Sequence, residues 1–200
     1  MKLAVFLDRD GTINEEAGYI RDLNDFRLIS GAASAIRRLN RAGLLAILVT
    51  NQSGPARGYY PESWVRRVLD RLTELLLAQD AHLDDMLYCP HLPPKAGGKV
   101  TGYAITCECR KPGTLLLREA AARHGIDLAR SYVVGDKATD VELGRNAGCR
   151  AILLETGYGK EVLAGRYQWP VQADHVALDL AAAVDWILAD LPTSFATTVT

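Results

Sequence analysis

The sequence predicts an α/β fold, a largely parallel sheet with helices on both faces. Three observations predict it. Short apolar runs alternate with helical patterns along the chain. Three of those runs end in polar, charge-bearing motifs, where open α/β sheets form their sites. And 48% of the 200 residues are apolar, enough for one sizeable core.

The elements follow in order. Leu3-Ala4-Val5-Phe6-Leu7 reads as a buried strand. Gly31 to Arg41 is helical, with Gly43 placed to cap it. Leu44 to Val49 is a second strand, ending at Thr50-Asn51. Pro61 to Ala81 has Pro near its start and a helical stripe at Val65, Val68, Leu69, Leu72, Leu75 and Leu76, which belongs in the core. Met86 to Cys89 is a short third strand, and Leu115 to His124 a helix ended by Gly125. Ser131 to Gly135 is the fourth strand. Thr139-x-x-Glu142 reads as a capping box opening a helix that stops near Gly148. Ala151 to Leu154 and Asp174 to Val176 are the last strands, and Leu180 to Leu188 the last helix. Residues 1–191 are expected to form one domain, with 192–200 a frayed Ser/Thr-rich tail.

A formal net charge of −1 gives no reason to expect nucleic acid or an anionic membrane as partner. No apolar stretch is long enough to span a bilayer. Met1 to Leu7 mimics the start of a signal peptide, but Asp8 cuts the apolar region short. A reducing cytoplasm is the expected compartment and a monomer the expected state. There, four cysteines read as metal ligands or core thiols rather than disulfides.

The chemistry lies in three motifs, each following an apolar strand: Asp8-x-Asp10-Gly11-Thr12, Thr50-Asn51-Gln52-Ser53-Gly54 and Gly135-Asp136-Lys137-x-x-Asp140. In a parallel sheet all three meet on one edge. Two carboxylates two residues apart on an extended backbone point the same way and repel unless a cation or a shared proton separates them. Carboxylate oxygens suit Mg²⁺. The Gly54 loop can aim N–H groups at an anion, and Arg110-Lys111 adds positive charge. Singly, each motif reads equally well as a polar turn; three in this order do not.

These residues resemble the haloacid dehalogenase (HAD) phosphatase superfamily: Asp8-x-Asp10-Gly-Thr, Thr50, Lys111, and Gly135-Asp136 with Asp140, in family order. The resemblance implies a Rossmann-like fold with Asp8 as nucleophile, forming an aspartyl-phosphate. It makes Asp10 the acid and then the base. Mg²⁺ would be held by Asp8, the backbone carbonyl of Asp10, and Asp136. Thr50 and Lys111 would hold the transferred phosphoryl group, and Asp140 would orient Lys111 rather than bind metal.

A second constellation is Cys89-Pro90-His91 with Cys107-Glu108-Cys109. Three Cys and one His suit tetrahedral Zn²⁺, and a full ligand set makes the zinc structural. The segment between, about 89–109, is loop-like through its glycines and would set Arg110-Lys111 over the site. Cys149 stands apart and reads as a core thiol.

With this loop the chain resembles the histidinol-phosphatase-related branch of the superfamily. Within that branch it most resembles the phosphatases of heptose bisphosphates, because Leu92 to Thr106 is longer than the zinc loop usual in histidinol-phosphate phosphatases. The matching residues include Gly18-Tyr19, Ala56-Arg57-Gly58 and Arg110-Lys111-Pro112. In one departure, Pro112 runs straight into Gly113, where the family usually has extra His/Pro residues. Neither insertion point has room for a cap domain. The resemblance therefore implies a substrate site of loops: Glu16, Ala17, Gly18 and Tyr19; Thr50, Asn51, Gln52 and Ser53; and Arg110, Lys111 and Lys137. Tyr19 reads equally as a packing residue, and Arg57 as either a distal-phosphate ligand or a solvated side chain. The alternatives are a histidinol-phosphate or other small-molecule HAD phosphatase, and a zinc-containing binding protein. The second is disfavoured by the full set Asp8, Asp10, Thr50, Lys111 and Asp136.

Overall fold

A computed structural model describes residues 1–191. Six parallel strands form one sheet: β1 (Ala4–Leu7), β2 (Leu45–Asn51), β3 (Asp85–Cys89), β4 (Tyr132–Gly135), β5 (Arg150–Leu154) and β6 (His175–Ala177). Their order is β3-β2-β1-β4-β5-β6. The winding direction reverses between β1 and β4, so the crevice at their carboxyl ends is the expected ligand site.

Seven α-helices lie among the described residues: α1 (Ala32–Arg41), α2 (Gly54–Arg57), α3 (Glu62–Leu77), α4 (Leu115–His124), α5 (Ala138–Ala147), α6 (Gly159–Leu163) and α7 (Leu180–Asp190). All four β1 residues are fully buried, as the centre of a sheet covered on both faces requires. The two-residue period divides them. Val5 and Leu7 join a core with Ile36 and Leu39 of α1, Val65 to Leu76 of α3, and Val184 and Ile187 of α7. Ala4 and Phe6 face Leu117 and Ala120 of α4 and Leu143 of α5. A third cluster joins Val141, Leu153 and Val162 under the β5 end.

The structure departs from the sequence pattern at two points. The α3 helix stops at Leu77, not Ala81: Asp80 takes a left-handed φ of 55°, and Ala81 reaches the core through a turn, its N–H on the Leu76 carbonyl. The capping box at Thr139 and Glu142 is displaced. Lys137 is the cap residue, and Asp140 Oδ2 accepts its N–H at 3.1 Å. Gly43 closes α1 as expected: it takes a left-handed φ of 74° just past Ala42, and the Leu44 N–H bonds back to the Leu39 carbonyl at 3.1 Å. The short helices α2 and α6 had no sequence reading. The tail at 192–200 lies outside the described residues. No helix among the described residues is long and apolar enough to cross a membrane.

Candidate active site and cysteine cluster

The three strand-end motifs meet at the β1/β4 crevice. Asp8 follows β1, and its N–H is fixed on the Val134 carbonyl of β4 at 3.0 Å. Its Oδ1 accepts the Arg9 N–H at 2.7 Å and pairs with Lys111 Nζ at 2.8 Å. Burial alone would raise the Asp8 carboxyl; the Lys111 and Lys137 charges overcome this and hold it at about 2. Asp8 is therefore an ionised carboxylate, 5% exposed, at the sheet's carboxyl edge. Lys111 also pairs with Asp140 Oδ1 at 2.6 Å and donates to the Val49 carbonyl at 3.0 Å. Burial would lower its pKa, and the Asp140 and Asp8 charges raise it instead.

Lys111 is located by more than the cysteine loop. Asn51, at the end of β2, clamps its backbone: Asn51 Nδ2 donates to the Lys111 carbonyl at 3.2 Å, and Asn51 Oδ1 accepts the Lys111 N–H at 3.0 Å. The tight Pro112-Gly113 path leaves that charge in the site. Thr50, 1% exposed, accepts from Gln52 Nε2 at 3.1 Å, which leaves its own O–H to donate.

Asp10 is held differently. Arg9 bonds it through Nε at 3.1 Å and Nη2 at 2.8 Å, Asn14 Nδ2 at 3.0 Å, and Gln52 Nε2 at 2.9 Å, so both carboxylate oxygens are engaged.

Asp136 is fully buried. Its Oδ2 accepts the Tyr158 N–H at 2.8 Å, while Oδ1 has no hydrogen-bond donor. Burial pushes its pKa up to about 7; the Asp8 and Asp140 charges add to the rise and Lys137 opposes it. The Lys137 ammonium lies 3.3 Å from that Oδ1, 3.5 Å from the Asp10 carbonyl and 3.9 Å from Asp8 Oδ2. A cation thus stands where these three oxygens converge. Gly11 and Gly157 make the room: a Cβ on either would fall 2.3 or 2.1 Å from Asp136 Oδ2. An orphaned buried oxygen, three converging oxygen donors and this cradle fit a hard divalent cation. Oxygens of Asp8, Asp136 and Asp140 also lie within reach of one ion, but Asp140 is already engaged by Lys111 and the Lys137 backbone.

The remaining sequence-selected residues gather around two recesses. Thr50, Arg110 and Lys111 line an inner recess of about 150 Å³ with Asp8 and Asp10. Glu16, Gly18, Tyr19, Gln52 and Ser53 line an outer one of about 180 Å³, and Asn51 and Lys137 line both. Glu16 pairs with Lys137 at 2.9 Å. Tyr19 sits 3.3 Å from Ser53 Oγ and edge-on to Tyr59. Ala17 is exposed and lines neither. Arg57 is half-buried over the Tyr19 ring and donates to the Ala96 carbonyl.

The cysteine cluster assembles as its spacing suggests. The Cys89, Cys107 and Cys109 sulfurs lie 3.2 to 3.5 Å apart, and His91 Nδ1 is 3.2 Å from Cys109 Sγ and 3.8 Å from Cys89 Sγ. Donors around one tetrahedral Zn²⁺ lie about 3.5–3.8 Å apart, so the set fits zinc with slight expansion. The loop is tied to the site's other wall: Lys99 and Val100 donate to the Ala56 carbonyl, and Tyr103 donates to Glu62. Arg110 Nη1 caps the His91 carbonyl at 3.1 Å. Cys149 is buried in the α4/α5 core, where burial pushes its pKa to about 12.

Two further groups, which no sequence motif marks, complete the site. Arg9, 2% exposed, lies between the two aspartates and grips one of them. Thr156, Gly157 and Tyr158 follow β5; Thr156 Oγ1 donates to the Gly11 carbonyl and Tyr158 binds Asp136. The strand-end rule that found the other motifs applies to them equally.

This catalytic edge and the sequence agree on a class. The haloacid dehalogenase-like hydrolase profile matches residues 5–145, a HAD-hydrolase-like profile matches 108–183, and the chain belongs to this family. A D-glycero-D-manno-heptose-1,7-bisphosphate 7-phosphatase of Thermosynechococcus vestitus is 53% identical over 189 residues, covering 94% of this chain and 96% of the relative. The D-glycero-beta-D-manno-heptose-1,7-bisphosphate 7-phosphatase of Escherichia coli K12 is 36% identical, covering 94% and 91%. Among solved structures, the D,D-heptose 1,7-bisphosphate phosphatase of B. bronchiseptica, complexed with magnesium and phosphate, superposes with a TM-score of 0.81 at 33% identity. That match covers 96% of this chain and all of the other.

Proposed function

We propose that the chain is a Mg²⁺-dependent phosphatase that removes the C7 phosphate of D-glycero-D-manno-heptose 1,7-bisphosphate, in the biosynthesis of nucleotide-activated heptose for lipopolysaccharide core. The single observation carrying the chemistry is Asp8, an ionised, buried carboxylate aimed by the Lys111 ion pair at the mouth of the inner recess. The substrate rests on the relatives' names and on a cationic, loop-built site suited to a polar bisphosphate.

Asp8 attacks the phosphorus and the sugar alkoxide leaves, taking a proton from Asp10. Water then attacks the aspartyl-phosphate, gives a proton back to Asp10, and releases phosphate and the free Asp8 carboxylate. Asp10 must yield part of its bonding to Arg9, Asn14 and Gln52 to carry that proton. Held by Asp8, the Asp10 carbonyl and Asp136, Mg²⁺ would supply the charge neutralisation that lets a carboxylate approach a phosphate dianion. Thr50 and Lys111 steady the transferred phosphoryl oxygens. Glu16 to Tyr19, with Asn51 to Ser53 and Lys137, face the sugar, and Arg110 meets the C1 phosphate. Zn²⁺ on Cys89, His91, Cys107 and Cys109 is structural. Residues 1–191 act as one domain, as a monomer, in a reducing cytoplasm that keeps the three zinc thiols reduced.

The test is ³¹P NMR of Mg²⁺-dependent turnover of both heptose bisphosphate anomers, histidinol phosphate and fructose 1,6-bisphosphate. The C7 monoester signal should vanish while the C1 signal persists, with a heptose bisphosphate the best substrate. Faster turnover of histidinol phosphate would overturn the assignment.

A further inference from the structure

Between α6 and β6 the chain crosses the carboxyl edge of the sheet, over the catalytic residues. Tyr167 lines both the inner and the outer recess. Gln168 lines the inner one with Asp8, Thr50 and Lys111. We propose that Tyr167 and Gln168 form a specificity strap that reads the hydroxylated carbon chain beside the scissile phosphate.

Two anchors hold the strap. On one side the Tyr167 ring stacks on Tyr158, with centroids 4.1 Å apart and planes within 6°. Tyr158 is itself fixed to the metal-site carboxylate, donating its N–H to Asp136 Oδ2, and its ring lies 5.3 Å beneath Lys137 Nζ. On the other side Trp169 Nε1 donates to Glu142 Oε1 at 2.6 Å. Glu142 lies on α5, the helix that carries Asp140.

Between these anchors Gln168 takes a left-handed φ of 58°. A residue with a Cβ adopts that region at a cost, and it persists where the surroundings over-determine it. Gln168 is exposed, so burial does not explain its conformation. The two aromatic anchors do, and the result is a carboxamide held at the rim of the phosphoryl site. A carboxamide carries no charge but offers both donors and an acceptor. Sugar hydroxyls, each a donor and an acceptor, match both halves of it; a phosphate dianion can only accept from its N–H₂, and an aryl ring engages neither half. Tyr167 thereby shares the outer recess with Ser53 and Tyr19, and Gln168 continues the lining into the inner one.

This inference rests on the proposed sugar-bisphosphate activity, and one experiment separates the two. Steady-state kcat/KM is measured for heptose bisphosphate and for p-nitrophenyl phosphate, which has no hydroxyl chain, in wild type, Gln168→Ala, Gln168→Gly and Trp169→Phe. Wild type inactive on the bisphosphate overturns the functional reading and the strap with it. With wild type active, Gln168→Ala should lower the sugar-to-aryl ratio of kcat/KM about tenfold, mainly through KM. Gln168→Gly suits the left-handed backbone yet lacks the amide, so it should lower the ratio as much. Trp169→Phe should lower it a few-fold by freeing one anchor. A ratio within about twofold of wild type in both Gln168 variants overturns the strap alone, as does restoration by Gly of what Ala loses, which would assign Gln168 a backbone role only.

Discussion

Acidification should release the catalytic metal through one buried carboxyl. Asp136 is fully buried, and burial together with the Asp8 and Asp140 charges holds it near 7 against an ordinary 3.8. Between those values the metal-free fold keeps a proton that the unfolded chain has lost. Raising the pH through that window therefore destabilises the metal-free protein, on the order of 4 kcal/mol for this one group at about 1.36 kcal/mol per pH unit. Asp140, raised by burial, acts in the same direction. Asp8, held at about 2, adds stability that is present above 3.8 and is lost only as pH falls toward 2, outside the window. Mg²⁺ needs the ionised form, so its affinity should fall about tenfold per pH unit below roughly 7. The assay is thermal unfolding with and without Mg²⁺ from about pH 5 to about pH 8, on wild type and Asp136→Asn. Asp140 is common to both proteins, so their difference isolates Asp136. Wild type should lose more metal-free stability with rising pH than the variant, which keeps only the Asp140 contribution, and should gain a growing stabilisation from Mg²⁺ that the variant lacks. Matching pH profiles in the two proteins, or a Mg²⁺ effect independent of pH, would refute the reasoning.

Three further outcomes are expected. Asp10→Asn should slow alkyl phosphates far more than aryl phosphates, whose leaving groups need little protonation; equal slowing would assign Asp10 to metal or structure. Cys107→Ser or Cys109→Ser should lower zinc content by elemental analysis and reduce activity, because the loop bonded to Ala56 and Glu62 and carrying Arg110 and Lys111 loses its clasp. Full activity in zinc-free protein would contradict this. Arg110→Ala should cost the heptose bisphosphate roughly ten- to a hundred-fold in kcat/KM, equivalent to about 1.5–3 kcal/mol, and a small monophosphate much less; an equal loss on both would move Arg110 to the reacting phosphate.

The sheet was legible because its central strands are buried on both faces and read as unbroken apolar runs. Asp8, Thr50 and Asp136 were legible because each follows such a run. The clasp on Lys111 was only half legible. Its cysteines declare themselves by spacing, but the two Asn51 bonds join residues 60 apart and leave no local pattern. The Thr139/Glu142 box misled because the same [S/T]-x-x-E spacing exists two residues too late; the functioning acceptor, Asp140, is turned inward by Lys111 and the Lys137 N–H. The strap was illegible. Helix α6 has five residues, too few to show a period, and Tyr167 and Gln168 gain their place from stacking and from Trp169, contacts that no spacing records.

The central claim is that Asp8 bonds to phosphorus. Acid quenching during turnover of heptose bisphosphate, followed by peptide mass spectrometry, tests it most directly. The account predicts a phosphoryl group on the peptide containing Asp8, and loss of both that adduct and turnover in deamidation-checked, folded Asp8→Asn. A phosphoryl group on another residue, or substantial turnover by Asp8→Asn, would contradict it.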